Sequence, residues 1–229
     1  MKKLFIVANW KSHKTVIEGH SFLIAFFHKE MSKWLHEGGD FQKTIVLCPP
    51  FTLLASLKES LLESDHKNIK IFLGAQDISP FPAGSHTGEE SSEQLSDLVD
   101  YVIVGHSERR NEFSESEQML VQKVAQAKLG GLEPIFCVQG KENEVPKEVR
   151  IIAYEPIDAI GSGRVASLDD IESVAAFYKQ KMDIHYVLYG GSVTAENVAQ
   201  ITALASIDGV LVGGASLDPH EFSQIVMRS

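Results

Sequence analysis

Cysteine is scarce in this chain: Cys48 and Cys137 are the two among 229 residues, and each closes an apolar run. Two isolated thiols make no disulfide framework and suit a reduced compartment, so a cytoplasmic location is expected. Basic charge is also short, with 21 Lys and Arg against 31 Asp and Glu and a net charge of −10. A general binder of nucleic-acid backbones needs a basic face, so that class is excluded, whereas a local cationic pocket is not. Long apolar runs are missing. Stretches such as Phe22 to Phe27 fall far below the ~20 residues of a membrane span, so no membrane partner is expected. The stretch Leu4 to Ala8 that follows Met1-Lys2-Lys3 is too short for a signal-peptide core and leads into polar Asn9-Trp10-Lys11. No HExxH or Cys-x-x-Cys pattern occurs, and His20, His28 and His36 recur every eight residues rather than at ligand spacing. No metal is therefore expected.

What is present is a rhythm. Eight short apolar runs occur at Leu4–Ala8, Thr44–Cys48, Ile69–Leu73, Tyr101–Val104, Leu132–Val138, Arg150–Tyr154, His185–Tyr189 and Gly209–Val212. They lack strict alternation, as strands buried on both faces do. Between them lie amphipathic stretches at Val16–Glu37, Thr52–Ser64, Ser116–Leu129, Leu168–Met182, Thr194–Leu204 and Asp218–Met227. Ser167-Leu-Asp-Asp and Thr194-Ala-Glu-Asn read as helix starts. Strand and helix in repeated alternation mean parallel βα units, and eight of them favour a closed α/β (β/α)8 barrel forming one domain over residues 1–229. An open doubly wound sheet is the rival. Two intervals break the rhythm. Gln76–Ser91 is a long loop carrying Pro80, Pro82, Gly84 and Gly88, and only Gln139 to Val149, interrupted by Pro146, separate runs five and six. A loop is expected there in place of the fifth helix.

In a barrel the chemistry gathers where strands end. Those ends carry Asn9-Trp10-Lys11, then Gly105-His106-Ser107-Glu108-Arg109-Arg110, then Glu155-Pro156 leading to Gly161-Ser-Gly163, then Gly190-Gly191-Ser192, and Gly213-Gly214-Ala215-Ser216. Glycine turns that precede helices present bare amides and suit a phosphate dianion. Gly161-Ser-Gly163-Arg-Val-Ala166 satisfies the loose dinucleotide-binding pattern of a nicotinamide oxidoreductase, but Glu155 to Ile160 separate it from its strand, whereas the fingerprint follows a strand directly. His106 opens a turn, where positive potential keeps an imidazole neutral and able to donate to a carbonyl. Glu155 precedes proline, which holds its backbone extended, and loss of water at a barrel mouth raises a carboxylate's basicity.

Taken together these segments resemble the triosephosphate isomerase family. Asn9-Trp10-Lys11, Gly74-Ala-Gln76, Thr87-Gly88-Glu89, Gly105-His-Ser-Glu-Arg-Arg110, Ala153-Tyr-Glu-Pro156, Ala159-Ile-Gly-Ser-Gly163, Tyr189-Gly-Gly-Ser-Val193 and Val212-Gly-Gly-Ala-Ser-Leu217 match it in order from Ala8 almost to the C-terminus. The resemblance implies cofactor-free, metal-free interconversion of dihydroxyacetone phosphate and glyceraldehyde 3-phosphate, a step of glycolysis and gluconeogenesis. It implies Glu155 as general base and neutral His106 as the group polarising the carbonyl. Lys11 would stabilise negative charge, Glu108 would orient Lys11, and Asn9 would hold substrate. It further implies phosphate amides from Gly161, Ser192, Gly213 and Gly214, and a lid from Pro156 to Ala166. A homodimer is implied through the Gln76–Ser91 loop, with Thr87 and Glu89 reaching a second subunit and Glu89 facing its Arg109.

The chain departs from the family at Asp158, where tryptophan is usual at the lid hinge, and at Gln139-Gly140, where a Gly-Glu pair is common after the strand-five cysteine. A rewired hinge with intact chemistry is expected. His86 stands where an aromatic residue often precedes Thr-Gly-Glu. The missing fifth helix leaves strands five and six bare or covered by the Gln139–Val149 loop, with reduced stability or an added contact surface as the consequence. Two rivals remain at this stage: another barrel acting on a phosphorylated sugar, and a binding scaffold that uses the strand-five surface.

Overall fold

A computed structural model describes residues 2–37, 43–63, 71–156, 166–181 and 183–229. In chain order the elements are β1 (Leu4–Asn9), α1 (Val16–Phe26), α2 (Lys29–His36), β2 (Lys43–Cys48), α3 (Phe51–Glu63), β3 (Ile71–Ala75), α4 (Ser92–Ser96), β4 (Tyr101–Val104) and α5 (Ser107–Glu112). There follow α6 (Glu117–Leu129), β5 (Glu133–Val138), β6 (Ile151–Tyr154), α7 (Leu168–Lys181), β7 (Tyr186–Tyr189), α8 (Val198–Thr202), β8 (Gly209–Val212), a 3-10 turn (Gly214–Leu217) and α9 (Pro219–Arg228). The eight strands close into a barrel in sequence order, and β8 returns to pair in parallel with β1. Closure excludes the open doubly wound sheet.

The seam between β8 and β1 depends on one residue. Gly209 has φ +148°, and a Cβ built there would lie 2.0 Å from the Phe5 carbonyl oxygen. Only glycine lets the two backbones come so close.

Strand periodicity sorts the side chains into two layers. Phe5, Val7, Cys48, Ile103, Ala153 and Leu188 fill the lumen, while Ile6, Ala8, Phe136, Ile152 and Val187 pack outward against the helices. Continuing the lumen-facing series in steps of two gives Asn9 and Lys11 after Val7, Glu155 after Ala153, and Gly190 after Leu188. The alternation that builds the core therefore also aims these residues at the mouth of the barrel.

Three elements differ from the sequence pattern. The stretch Val16–Glu37 is two helices, because Phe27 ends α1 and His28 is extended (φ −62°, ψ 168°). That break turns Met31 into the core, where it is fully buried. The third strand reaches Gly74-Ala75, beyond the apolar run, since Gly74 can sit against the Cys48 sulfur, 2.6 Å from where a Cβ would be. The stretch Thr194–Leu204 shortens to α8. Its first turn is taken by Asn197, whose side chain accepts from the Thr194 amide (2.9 Å) and donates to the Ser192 carbonyl (3.0 Å).

No helix joins β5 to β6. The Asn143 carboxamide oxygen accepts the amides of Gln139 (2.7 Å) and Gly140 (3.1 Å), folding the segment back on itself. Tyr178 of α7 donates its hydroxyl to the Gly140 carbonyl at 2.6 Å. Val145 and Val149 insert into the outer core, and Phe136 and Ile152, which face outward from β5 and β6, are fully buried. The outer faces of these strands are covered by a loop. This removes the bare strand-five surface on which the scaffold reading relied.

Candidate active site

Asn9, Lys11, His106, Glu155, the Gly190–Thr194 turn, and Gly213 and Gly214 line one cavity of about 320 Å³ at the C-terminal mouth of the barrel. Residues from five strand ends thus meet around a space suited to a small molecule.

Lys11 is held in an unusual pose. Its φ is +52°, in the left-handed region that side chains disfavour. The strain is held by neighbours: the Lys11 amide donates to the Asn9 carboxamide oxygen (3.0 Å), and Gln76 donates to the Lys11 carbonyl (2.9 Å) and the Cys48 carbonyl (2.9 Å). Its ammonium donates to Glu108 at 2.5 Å. The stem passes Gly213, where a Cβ would meet Lys11 Cε at 3.5 Å. Strained, over-determined backbone of this kind concentrates at working sites.

His106 caps α5. Its Nδ1 accepts the Glu108 amide at 3.2 Å, which leaves Nε2 as the nitrogen free to carry a proton. Nε2 lies 3.1 Å from Glu155 Oε1. The second carboxylate oxygen of Glu155 accepts the Ser107 amide at 2.9 Å, and the residue is 1% exposed. A buried carboxylate that accepts a backbone amide thus sits beside an imidazole, with the Lys11 ammonium in the same cavity.

The glycine turns are shaped for close approach. A Cβ on Gly190 would meet Glu155 Cγ at 2.9 Å, and one on Gly191 would meet the Tyr189 hydroxyl oxygen at 2.2 Å. Gly214 has nothing within 4 Å of where its Cβ would be, so its surface is open. Tyr189 also accepts the Ala166 amide at 3.1 Å, anchoring the segment that follows residue 165.

Cys137, one residue before the end of β5, interacts with Glu155. Burial, reinforced by the Glu155 carboxylate, pushes its thiol far up, and burial does the same to Cys48. Both are free, buried thiols, poor candidates for nucleophilic work. Among the described residues no three His, Cys, Asp or Glu side chains are grouped to hold a metal ion, and no helix is long and apolar enough to cross a membrane.

Asn9, Lys11, His106, Glu108, Glu155, Ser192, Gly213 and Gly214 all lie in or beside this cavity. Gly161 and Asp158, with the hinge assigned to it, lie outside the described residues. Thr87 and Glu89 are exposed on the long loop, where Phe81 stacks on His86 (4.5 Å between centroids). Arg109 bonds within its own chain, to Asp77 (2.8 Å) and Glu115 (2.6 Å). Sequence reasoning left several contributors without a role: Gln76, the Ser107 amide, Tyr189 and Asn197. Gln76 stood inside a quoted motif, and Ser107 followed the histidine directly. Tyr189 acts through a contact to Ala166, 23 residues away, and Asn197 through the local turn it closes with Ser192 and Thr194.

Comparison with known proteins agrees with this geometry. The family model for triosephosphate isomerase matches residues 4–150 and 140–229. The chain is 40% identical to the triosephosphate isomerase of Dictyoglomus thermophilum, over 99% of both chains. It is 39% identical to that of Mesomycoplasma hyopneumoniae strain 232 over the whole of both. The crystal structure of triosephosphate isomerase from Bartonella henselae superposes with a TM-score of 0.79 at 29% identity, covering 99% of this chain and 100% of that one.

Proposed function

The chain belongs to the triosephosphate isomerase family, and from that footing we propose that its cavity interconverts dihydroxyacetone phosphate and D-glyceraldehyde 3-phosphate. The reaction is an aldose–ketose isomerisation that moves one proton between adjacent carbons. The observation that carries the assignment of roles is the Glu155–His106 pair: a buried carboxylate 3.1 Å from the Nε2 of an imidazole whose Nδ1 accepts a backbone amide.

In the free site His106 Nε2 stands 3.1 Å from the Glu155 carboxylate. A substrate carbonyl oxygen entering the cavity accepts from His106 Nε2–H, with the carboxylate beside it. Glu155 then abstracts a proton from the carbon next to the carbonyl. The C–H electrons form the carbon–carbon double bond, and the carbonyl electrons move onto oxygen as an enediolate. His106 Nε2–H and the Lys11 ammonium meet that charge as donors already held in place, which is where such stabilisation is strongest. Return of the proton from protonated Glu155 to the neighbouring carbon, with His106 moving a proton between the two oxygens, completes the isomerisation. Asn9 and Gln76 keep Lys11 in its strained pose, and Glu108 fixes its ammonium. The amides at Ser192, Gly213 and Gly214 receive the phosphate. Gly161 is assigned to the same phosphate on family grounds.

A homodimer is proposed through the Gln76–Ser91 loop. A hollow of about 470 Å³ beside the catalytic cavity, lined by Lys11, Gln76, Glu108, Arg109 and Phe113, supports it as the seat for the tip that carries Thr87 and Glu89 of a second copy. The two free thiols support a cytoplasmic location.

A coupled assay on dihydroxyacetone phosphate tests the reading. Glu155→Gln should lower kcat by about 10²–10⁴ while inorganic phosphate still inhibits. Wild-type protein that neither turns over the triose nor is inhibited by phosphate would refute it.

A further inference from the structure

Lys14 has no part in the chemistry above, yet it is the second left-handed lysine in the same loop, with φ +74°. Glycine would adopt that backbone without strain, so the side chain at this position must be held by its surroundings. Three contacts hold it. The ammonium donates to the Leu217 carbonyl at 2.7 Å, across 203 residues of sequence. It also lies over the ring of Trp10 at 5.3 Å and over that of Phe22 at 5.0 Å, within the range of cation–π attraction. Burial lowers its pKa below the usual lysine range, with Glu18 and Asp218 opposing, which marks the ammonium as partly withdrawn from water.

Leu217 is the last residue of the 3-10 turn that begins at Gly214. Inside that turn Ser216 ties back to the Gly213 carbonyl through both its amide (2.8 Å) and its hydroxyl (2.7 Å). The turn is therefore one stiff unit, with two glycine amides at its front and Lys14 gripping its rear. The rings under Lys14 belong to the core: Trp10 and Phe22 are buried and meet each other edge to face at 4.7 Å. Lys14 thus fastens the turn after β8 to the loop after β1, which also carries Lys11. Lys11 itself passes Gly213 on the cavity side.

We propose that Lys14 is a positioning residue for the substrate phosphate: its clamp on the 3-10 turn sets where the Gly213 and Gly214 amides stand relative to Lys11. The inference rests on the phosphate site proposed above. It assigns to a residue outside the cavity a part in binding the dianion rather than in moving the proton.

The test compares wild-type protein with Lys14→Met, which keeps most of the stem beside the rings but loses the donor and the charge. Lys14→Gly, which also relieves the backbone strain, and Lys14→Arg complete the series. Each is measured for inhibition by inorganic phosphate, KM, kcat and thermal unfolding. In Lys14→Met and Lys14→Gly the phosphate inhibition constant and KM should rise together by about ten-fold, with kcat within about two-fold of wild type. Arg should restore most of the phosphate affinity, because it can still donate to Leu217. Lys14→Gly binding phosphate as tightly as wild type would overturn the proposal. So would a parallel loss of kcat and melting temperature with the phosphate constant unmoved. If wild-type protein is not inhibited by phosphate, the proposed phosphate site fails and this inference falls with it; inhibition that is unchanged across the variants removes this inference alone.

Discussion

Replacing Tyr178 by phenylalanine removes one hydroxyl from the segment that stands in for a helix between β5 and β6. The ring is fully buried and stays in place, so no cavity opens. What is lost is the 2.6 Å hydrogen bond to the Gly140 carbonyl, with the Asn143 carbonyl a more distant second acceptor at 3.4 Å. The Gly140 carbonyl is partly buried, and leaving it without its donor costs about 1–3 kcal/mol. In a chain of this size each kcal/mol moves the melting temperature by about 2–4 °C, so Tyr178→Phe should lower it by about 2–12 °C. Tyr178→Ala adds the loss of the ring, and aromatic-to-alanine changes in cores cost about 3–5 kcal/mol. Thermal unfolding followed by circular dichroism measures both. Because Gly140 and Tyr178 lie away from the cavity lining, KM and kcat at 25 °C should stay within about two-fold for Tyr178→Phe. A melting temperature unchanged within about 1 °C would refute the claim that this hydroxyl pins the crossover. A large fall in kcat at full stability would refute the separation of crossover from site.

Gly209→Ala should destabilise the chain by about 2–6 kcal/mol, combining left-handed strain with a collision at the Phe5 carbonyl; denaturant unfolding checks it, and near-native stability would contradict the account of the barrel seam. At neutral pH, nitrogen NMR of His106 should show Nδ1 bare and Nε2 protonated; protons on both nitrogens would rule out the neutral donor. Burial pushes the Tyr178 hydroxyl up to about 12, and burial with the Asp100 and Glu133 charges does the same to Tyr101, against an ordinary value of ~10. Because the folded value is the higher, this stabilisation is complete below pH ~10 and lost as pH rises towards 12. Burial also raises Tyr154 and Tyr189, so phenolate absorbance should show four late-titrating tyrosines, and three in Tyr178→Phe.

Most of the fold was legible because eight apolar runs and the stretches between them repeat one unit, and parallel strands buried on both faces leave that mark. Tyr101–Val104 and Gly209–Val212 read with the bounds they have in the structure. The missing helix was legible too, since Pro146 sits in an interval too short for one. Less visible were breaks decided by tertiary contact. Nothing local distinguishes Phe27-His28 from continuing helix; the turn of Met31 into the core does. Thr194-Ala-Glu-Asn carries a good capping pattern, yet Asn197 spends its side chain holding the glycine turn instead. In the site, Lys11, His106 and Glu155 stood out as chemistry-bearing residues at strand ends. Gln76 and Lys14 did not, because their work is to carry backbone geometry that no pattern of residue types reveals.

The central claim is that Lys11, His106 and Glu155 act together on one triose. A crystal structure with a bound phosphorylated carboxylate that mimics the enediolate charge measures this directly. The account predicts the Lys11 ammonium, His106 Nε2 and the Glu155 carboxylate each within hydrogen-bonding reach of that one molecule, its phosphate on the Ser192, Gly213 and Gly214 amides. An analogue seated elsewhere, or one that leaves any of the three side chains out of reach, would contradict it.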